Sequence, residues 1–204
     1  MSTEPCVFIV DDDPAVRDAL AVLLSSMNLH SRGFESADAF LAAYDKDQPG
    51  CLITDVCLAG IDGMALQRIL KERNSTLPII VISGHGDIPM SVHMVREGAL
   101  DFLEKPFRNH VMLRLVREAL EIDAEWRARH HAHAAIRERY AELTTREKEI
   151  AAMLAEGEPN KVIAARLKIS PRTVEAHRAN VLRKMEVTSA VALARTLMSL
   201  PDMT

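Results

Sequence analysis

Residues 7–14 read Val-Phe-Ile-Val-Asp-Asp-Asp-Pro. The first four are apolar and mostly β-branched, a run of the length expected for a strand buried on both faces. Three acids then end it. Asp13-Pro14 is a helix-start signal, an N-cap side chain followed by proline at the first helical position. Behind it Val16, Leu20, Leu23 and Leu24 recur at helical spacing. The segment is therefore a β-α unit with carboxylates at the C-terminal end of its strand.

The same alternation continues as far as residue 120. Residues 29–34 (LHSRGF) form a weaker strand, followed by a short helix over 37–44. CLITD (51–55) and PIIVIS (78–83) are strong strands, and 101–104 is a short one. Helical spacing predicts helices over 63–73, over 88–97 with Gly98 closing it, and over 109–120. Five β-α units with runs apolar enough to be covered on both sides predict a parallel sheet with helices on either face. Such sheets bind ligands beyond the carboxyl ends of their strands.

Residues 119–142 contain neither Gly nor Pro and are rich in Ala, Glu and Arg, so they read as one continuous helix. Ile122, Trp126, Ile136 and Tyr140 keep no heptad, which argues against a coiled coil. His130, His131 and His133 sit on this helix; adjacent positions do not face one another, and they read as part of a solvated linker. From Leu143 onward every signal is helical. Thr144 offers a cap with acid nearby, Gly157 stops that helix, 160–167 is a short second helix, and Ser170-Pro171 starts a third running to Met185. Thr188-Ser189 caps a fourth. Two short helices joined by Leu167-Lys168-Ile169-Ser170 make a helix-turn-helix pattern.

Charge divides along the chain. Residues 1–120 hold eleven Lys+Arg against seventeen Asp+Glu, whereas 160–184 hold seven basic residues and one acid, Glu175. An acidic front suits a cation and a basic back suits a polyanion. No apolar run approaches the roughly 18 residues that span a bilayer, and the start MSTEPC has no signal-peptide pattern, so a cytoplasmic location without membrane contact is expected. Cys6, Cys51 and Cys57 have no metal-type spacing and read as free thiols of a reducing compartment.

Polar residues converge where the strong strands end: Asp11-Asp12-Asp13 after the first, Asp55 after 51–54, Ser83 after 78–82, and Lys105-Pro106 after 101–104. Several carboxylates in one cleft repel and need a counter-charge. A hard divalent cation such as Mg²⁺, which takes oxygen ligands and keeps its waters, fits one or two carboxylates. A lysine facing it would surround Asp55 with positive charge able to hold an incoming phosphoryl group. Asp13 reads as the helix cap rather than a ligand.

This set, with the VDDD run, Ser83 ahead of GHGD, and Phe102 three residues before Lys105, resembles the receiver domains of two-component systems over residues 5–120. The resemblance implies a flavodoxin-like fold in which Asp55 is the phosphoacceptor. It makes Asp12 the direct Mg²⁺ ligand, Asp11 a ligand through water, and the Cys57 carbonyl a third contact. Ser83 and Lys105 would hold the phosphoryl group, and Phe102 would switch by packing. The donor would be a histidine kinase. The loop after Asp55 departs from the family at Ala59, where proline is common, without removing the site.

The segment from Leu143 to Met185, above all SPRTVEAHRANVLRKM, resembles the LuxR-type four-helix module of FixJ/NarL regulators. Ile150, Leu154, Ile163, Leu167, Val174, Val181, Leu182 and Met185 form its expected core. On the recognition helix, 171–185, Arg172, Glu175, Arg178 and Asn180 are expected to meet base edges of duplex DNA. Lys161, Thr173 and Lys184 are expected at phosphates.

The expected organisation is a receiver over 1–120, a helical linker over 121–141 and a helix-turn-helix domain over 142–204. The expected function is transcription regulation, not catalysis: phosphorylation of Asp55 would drive homodimerisation and binding to paired half-sites, with RNA polymerase a further partner. Two rivals are a phosphatase working through an aspartyl phosphate and a binder indifferent to phosphorylation. The first needs its nucleophile after the first strand, and Asp55 lies elsewhere.

Overall fold

The computed structural model describes residues 4–84 and 88–200, with residues 88–91 described by backbone alone. His85, Gly86 and Asp87 of the GHGD run lie outside the described residues. The chain divides at Arg127/Ala128 into two compact units.

The first unit is built on five strands, β1 Cys6–Val10, β2 His30–Phe34, β3 Gly50–Asp55, β4 Ile79–Ser83 and β5 Asp101–Glu104. They form one sheet in the order β2-β1-β3-β4-β5, every neighbouring pair parallel. The helices between them are α1 Pro14–Ser25, α2 Ala37–Ala43, α3 Gly63–Glu72 and α4 Ile88–Arg96, followed by α5 Asn109–Ala141. This is the flavodoxin-like arrangement, whose connections reverse direction between β1 and β3. Asp11 and Asp55 therefore end up side by side at the switch point.

The alternation of side chains along each strand feeds two cores. Phe8, Val10, Leu52, Val81 and Phe40 pack on one face; Val7, Ile9, Ile53, Ile82, Leu24 and Leu115 pack on the other. The central β3 is buried along its whole length. The edge strand β2, beside β1, is mostly exposed, which explains its mixed composition. Asp13 caps α1, accepting the Ala15 N–H at 2.8 Å. Asp62 caps α3 in the same way. Gly63 must be glycine: a Cβ there would lie 2.3 Å from the Asp55 carbonyl oxygen.

The expected helix over 109–120 and the expected helix over 119–142 are one element, α5. The first unit continues past residue 120 along it because Asp123 and Arg127 are fastened to the α2–β3 loop. Asp123, 2% exposed, accepts the Gly50 N–H at 2.9 Å and pairs with Arg127 at 2.9 Å. The Arg127 guanidinium donates to the carbonyls of Lys46, Asp47 and Gln48.

The second unit contains α6 Thr145–Ala155, α7 Asn160–Leu167, α8 Pro171–Lys184 and α9 Ala190–Met198. Thr144 and Glu147 form a capping box at the start of α6, and Ser170 and Ser189 cap α8 and α9. Ile150, Leu154, Ile163, Val174, Val181, Met185 and Leu193 fill its core, with Ile136 and Tyr140 of α5 packed against it.

Candidate functional site

The pocket at the C-terminal edge of the sheet is assembled from three loops. β1 delivers Asp11, wholly buried, and the exposed Asp12; β3 delivers Asp55, 8% exposed. Carboxylate oxygens of these three all lie within 4.8 Å of one another. So close a set of hard oxygen donors fits a divalent cation.

Lys105 reaches in from the turn after β5. Its Nζ donates to Asp11 Oδ2 at 2.7 Å and to Asp55 Oδ2 at 3.0 Å. Partial burial alone would lower the Lys105 pKa, but the bonds and charges of Asp11 and Asp55 outweigh it and hold it above the ordinary lysine value. One ammonium thus clasps both carboxylates. Ser83, fully buried, ends β4, and its carbonyl accepts the backbone N–H of Lys105 at 2.7 Å. The Cys57 N–H donates to Asp55 Oδ1 at 3.3 Å, and the Asp13 N–H to Asp11 Oδ1 at 2.9 Å. Phe102, half-buried on β5 opposite Val81, packs against the core beneath.

Two features of this pocket escaped sequence reasoning. Lys105 binds Asp11 as tightly as Asp55, a contact that no spacing encodes. Arg17, on the first turns of α1, donates through Nη1 to the carbonyls of Asp11 and Asp12, bracing the acidic loop from outside. A charged residue on an amphipathic helix gives no signal that it turns back towards the loop ahead of it.

The cysteines divide. Burial pushes the Cys51 thiol far up, and the half-buried Cys6 is raised for the same reason, so neither is poised as a thiolate. Cys57 is exposed.

In the second unit α8 presents Arg172, Thr173, Glu175, Ala176, Ala179, Asn180 and Arg183 to solvent, while Val174 and Val181 face the core. Lys161, on the first turn of α7, is also exposed. Arg178 is half-buried, its Nη1 3.4 Å from Asn160 Oδ1. Thr173 shares a 2.8 Å hydrogen bond with Ser170. Lys184 departs from the expected outward position: its Nζ donates to the buried Glu147 carboxylate at 2.7 Å and to the Glu142 carbonyl at 3.2 Å. The uncompensated Glu147 carboxylate would be costly to bury, and Lys184 is turned inward to meet it.

Residues 7–117 match the response regulator receiver domain family, and residues 141–197 match the luxR family of bacterial regulatory proteins. The chain belongs to the response regulators. It is 41% identical to the response regulator protein TodT of Pseudomonas putida over 96% of this chain and 86% of that one. It is 40% identical to the transcriptional regulatory protein FixJ of Bradyrhizobium diazoefficiens over 97% of each. Among solved structures, the response regulator StyR superposes with a TM-score of 0.89 at 35% identity, covering 96% of this chain and 99% of that one. This response regulator is thus a two-component protein whose LuxR-type domain assigns it to transcription regulation, a non-enzymatic role. Its receiver implies a histidine kinase partner, and its second domain implies DNA. Among the described residues no helix is long and apolar enough to cross a membrane.

Proposed function

We propose that Asp55 is the phosphoacceptor and that its phosphorylation controls DNA binding by the C-terminal domain. The observation that carries this reading is the Lys105 ammonium held between Asp55 and Asp11. In the transfer, an Asp55 carboxylate oxygen attacks the phosphorus of a phosphohistidine or small acyl phosphate. The new O–P bond forms as the bond to the donor breaks, and the departing group keeps the electron pair. Lys105 leaves Asp55 Oδ2 for a phosphoryl oxygen, and the Ser83 hydroxyl donates to another. Asp12, Asp11 through water, Asp55 and the Cys57 carbonyl would hold Mg²⁺, which supplies charge neutralisation around the phosphoryl group.

The domains divide the work: a receiver over 1–120, a linker over 121–141 and a DNA-binding domain over 142–204. Phe102 follows Ser83 by repacking, and the face of α4, β5 and α5 then pairs with a second copy, a population shift towards the state that binds phosphate better. On DNA, Arg172, Glu175, Arg178 and Asn180 read base edges, each good bidentate contact discriminating by about 1–3 kcal/mol. Lys161 and Thr173 meet phosphates, whereas Lys184 stays bonded to Glu147. The paired domains bind two half-sites and activate transcription through RNA polymerase, in the cytoplasm. The test is incubation with a small acyl phosphate and Mg²⁺, followed by mass spectrometry and light scattering. Wild type should gain one phosphoryl group and dimerise, and Asp55→Asn should do neither. A dimerising Asp55→Asn variant would refute the reading.

A further inference from the structure

Two consecutive residues of α6 fasten the two ends of the helix-turn-helix. The last carbonyls of a helix lack intrahelical partners. At the end of α7 those of Ala164 and Ala165 are taken by the N–H groups of Ile169 and Lys168, with Lys168 in the left-handed conformation (φ 53°). The Leu167 carbonyl is instead taken by Arg146, whose Nη2 donates at 2.6 Å across a gap of 21 residues in sequence. The same guanidinium is steadied by Glu149 through Nη1 at 2.7 Å. The next residue, Glu147, accepts Lys184 Nζ at 2.7 Å, at the last position of α8. Glu147 itself is locked by the capping box, accepting the Thr144 N–H at 2.9 Å. Arg146 thus ties down the turn before the recognition helix, and Glu147 ties down its far end.

Apolar packing of Val174, Val181 and Met185 holds α8 against the domain. Such packing is non-directional and leaves rotation and axial slide weakly specified. Bonds with a charged partner are directional and stronger than neutral ones. We propose that Arg146 and Glu147 are positioning residues for DNA reading, setting the angle and axial register of α8 without touching DNA. The proposal rests on the reading of α8 as the base-contacting helix. It predicts that losing either residue costs discrimination between DNA sequences more than affinity for DNA as such, because phosphate attraction tolerates a tilt and a base-edge bond does not.

The test uses the full chain with a small acyl phosphate. A duplex selected by wild type from a random pool serves as specific target, and a random-sequence duplex as non-specific target. Arg146→Met and Glu147→Gln should each weaken binding to the selected duplex by about tenfold or more, the scale of one hydrogen bond from a charged group. Affinity for the random duplex should stay within about twofold. Arg146→Lys, which can reach the Leu167 carbonyl with one bond, should recover part of the loss. Parallel loss on both duplexes, or no loss, would overturn the proposal. Hydrogen exchange decides it without DNA: in Arg146→Met the amides of residues 169–173 should exchange faster while the α6 amides keep their protection. Equal exchange in both proteins would overturn it too. If wild type selects no sequence, the DNA-reading assignment of α8 fails, and the exchange result still judges the clamp.

Discussion

Replacing Arg127 with alanine should destabilise the receiver unit far more than a helix-surface change ordinarily does. Asp123 is 2% exposed and Arg127 pairs with it through Nε, the Arg127 side chain being 16% exposed. Removing the arginine leaves a buried carboxylate facing the Gly50 N–H without its counter-charge. Breaking a buried pair on one side costs roughly 3–5 kcal/mol. The carbonyls of Lys46, Asp47 and Gln48 lose their donor as well, but the α2–β3 loop lies near solvent and water replaces it, so little is added. At about 3–5 °C per kcal/mol for a unit of this size, the thermal midpoint of the first transition should fall by roughly 10–20 °C. Scanning calorimetry of the full chain measures this. The double variant Asp123→Asn/Arg127→Met, which removes both charges, should be more stable than the sum of the single losses, with a coupling of about 2 kcal/mol. A midpoint for Arg127→Ala within about 2 °C of wild type would show that the buried pair does not hold α5 to the start of β3.

Lys105→Met should slow phosphorylation of the protein, followed by mass spectrometry against time, and should change its alkaline stability. The Lys105 pKa is raised in the fold, so its stabilising contribution is complete below the ordinary value of 10.5 and lost as pH climbs through the folded value. Urea midpoints of wild type should therefore drop above that pH more steeply than those of Lys105→Met. Glu147 behaves in the opposite sense: the Lys184 bond, then the Thr144 N–H, hold its pKa below the ordinary 4.5. Its contribution is present above that value and lost as pH falls through the folded one, so Glu147→Gln should flatten the acid limb of the second unit's unfolding, read by circular dichroism. Gly63→Ala should cost about 2 kcal/mol or more in urea unfolding, because its Cβ would meet the Asp55 carbonyl at 2.3 Å and backbone must move. A neutral Gly63→Ala would contradict that close approach.

Legibility in the sequence followed the kind of force involved. VFIV, CLITD and PIIVIS announce buried parallel strands through apolar content alone, and Asp13-Pro14 and Ser170-Pro171 announce helix starts through local hydrogen bonding. Asp11, Asp12 and Asp55 were readable as a group because strand ends at a switch point converge, and their oxygens do lie together. What stayed hidden were long-range contacts of charged side chains. Lys184 reads as an outward basic residue because its partner Glu147 lies 37 positions away. Asp123 and Arg127 show only an ordinary i,i+4 pair; that α5 buries them against the start of β3 depends on Gly50, where a Cβ would lie 1.9 Å from the Cys6 carbonyl oxygen and the strands could not close. Arg17 and Arg146 are hidden for the same reason, each donating to a carbonyl that pattern reading does not see.

If one carboxylate, Asp55, governs the affinity of the DNA-binding domain, its loss must uncouple DNA binding from the phosphodonor. The most direct test is the affinity of wild type and Asp55→Asn for a duplex selected from promoter DNA, each with Mg²⁺ and with or without a small acyl phosphate. The phosphodonor should strengthen wild-type binding and leave Asp55→Asn unmoved. Equal binding by both proteins under both conditions would contradict this, reducing the receiver to a scaffold that carries no signal.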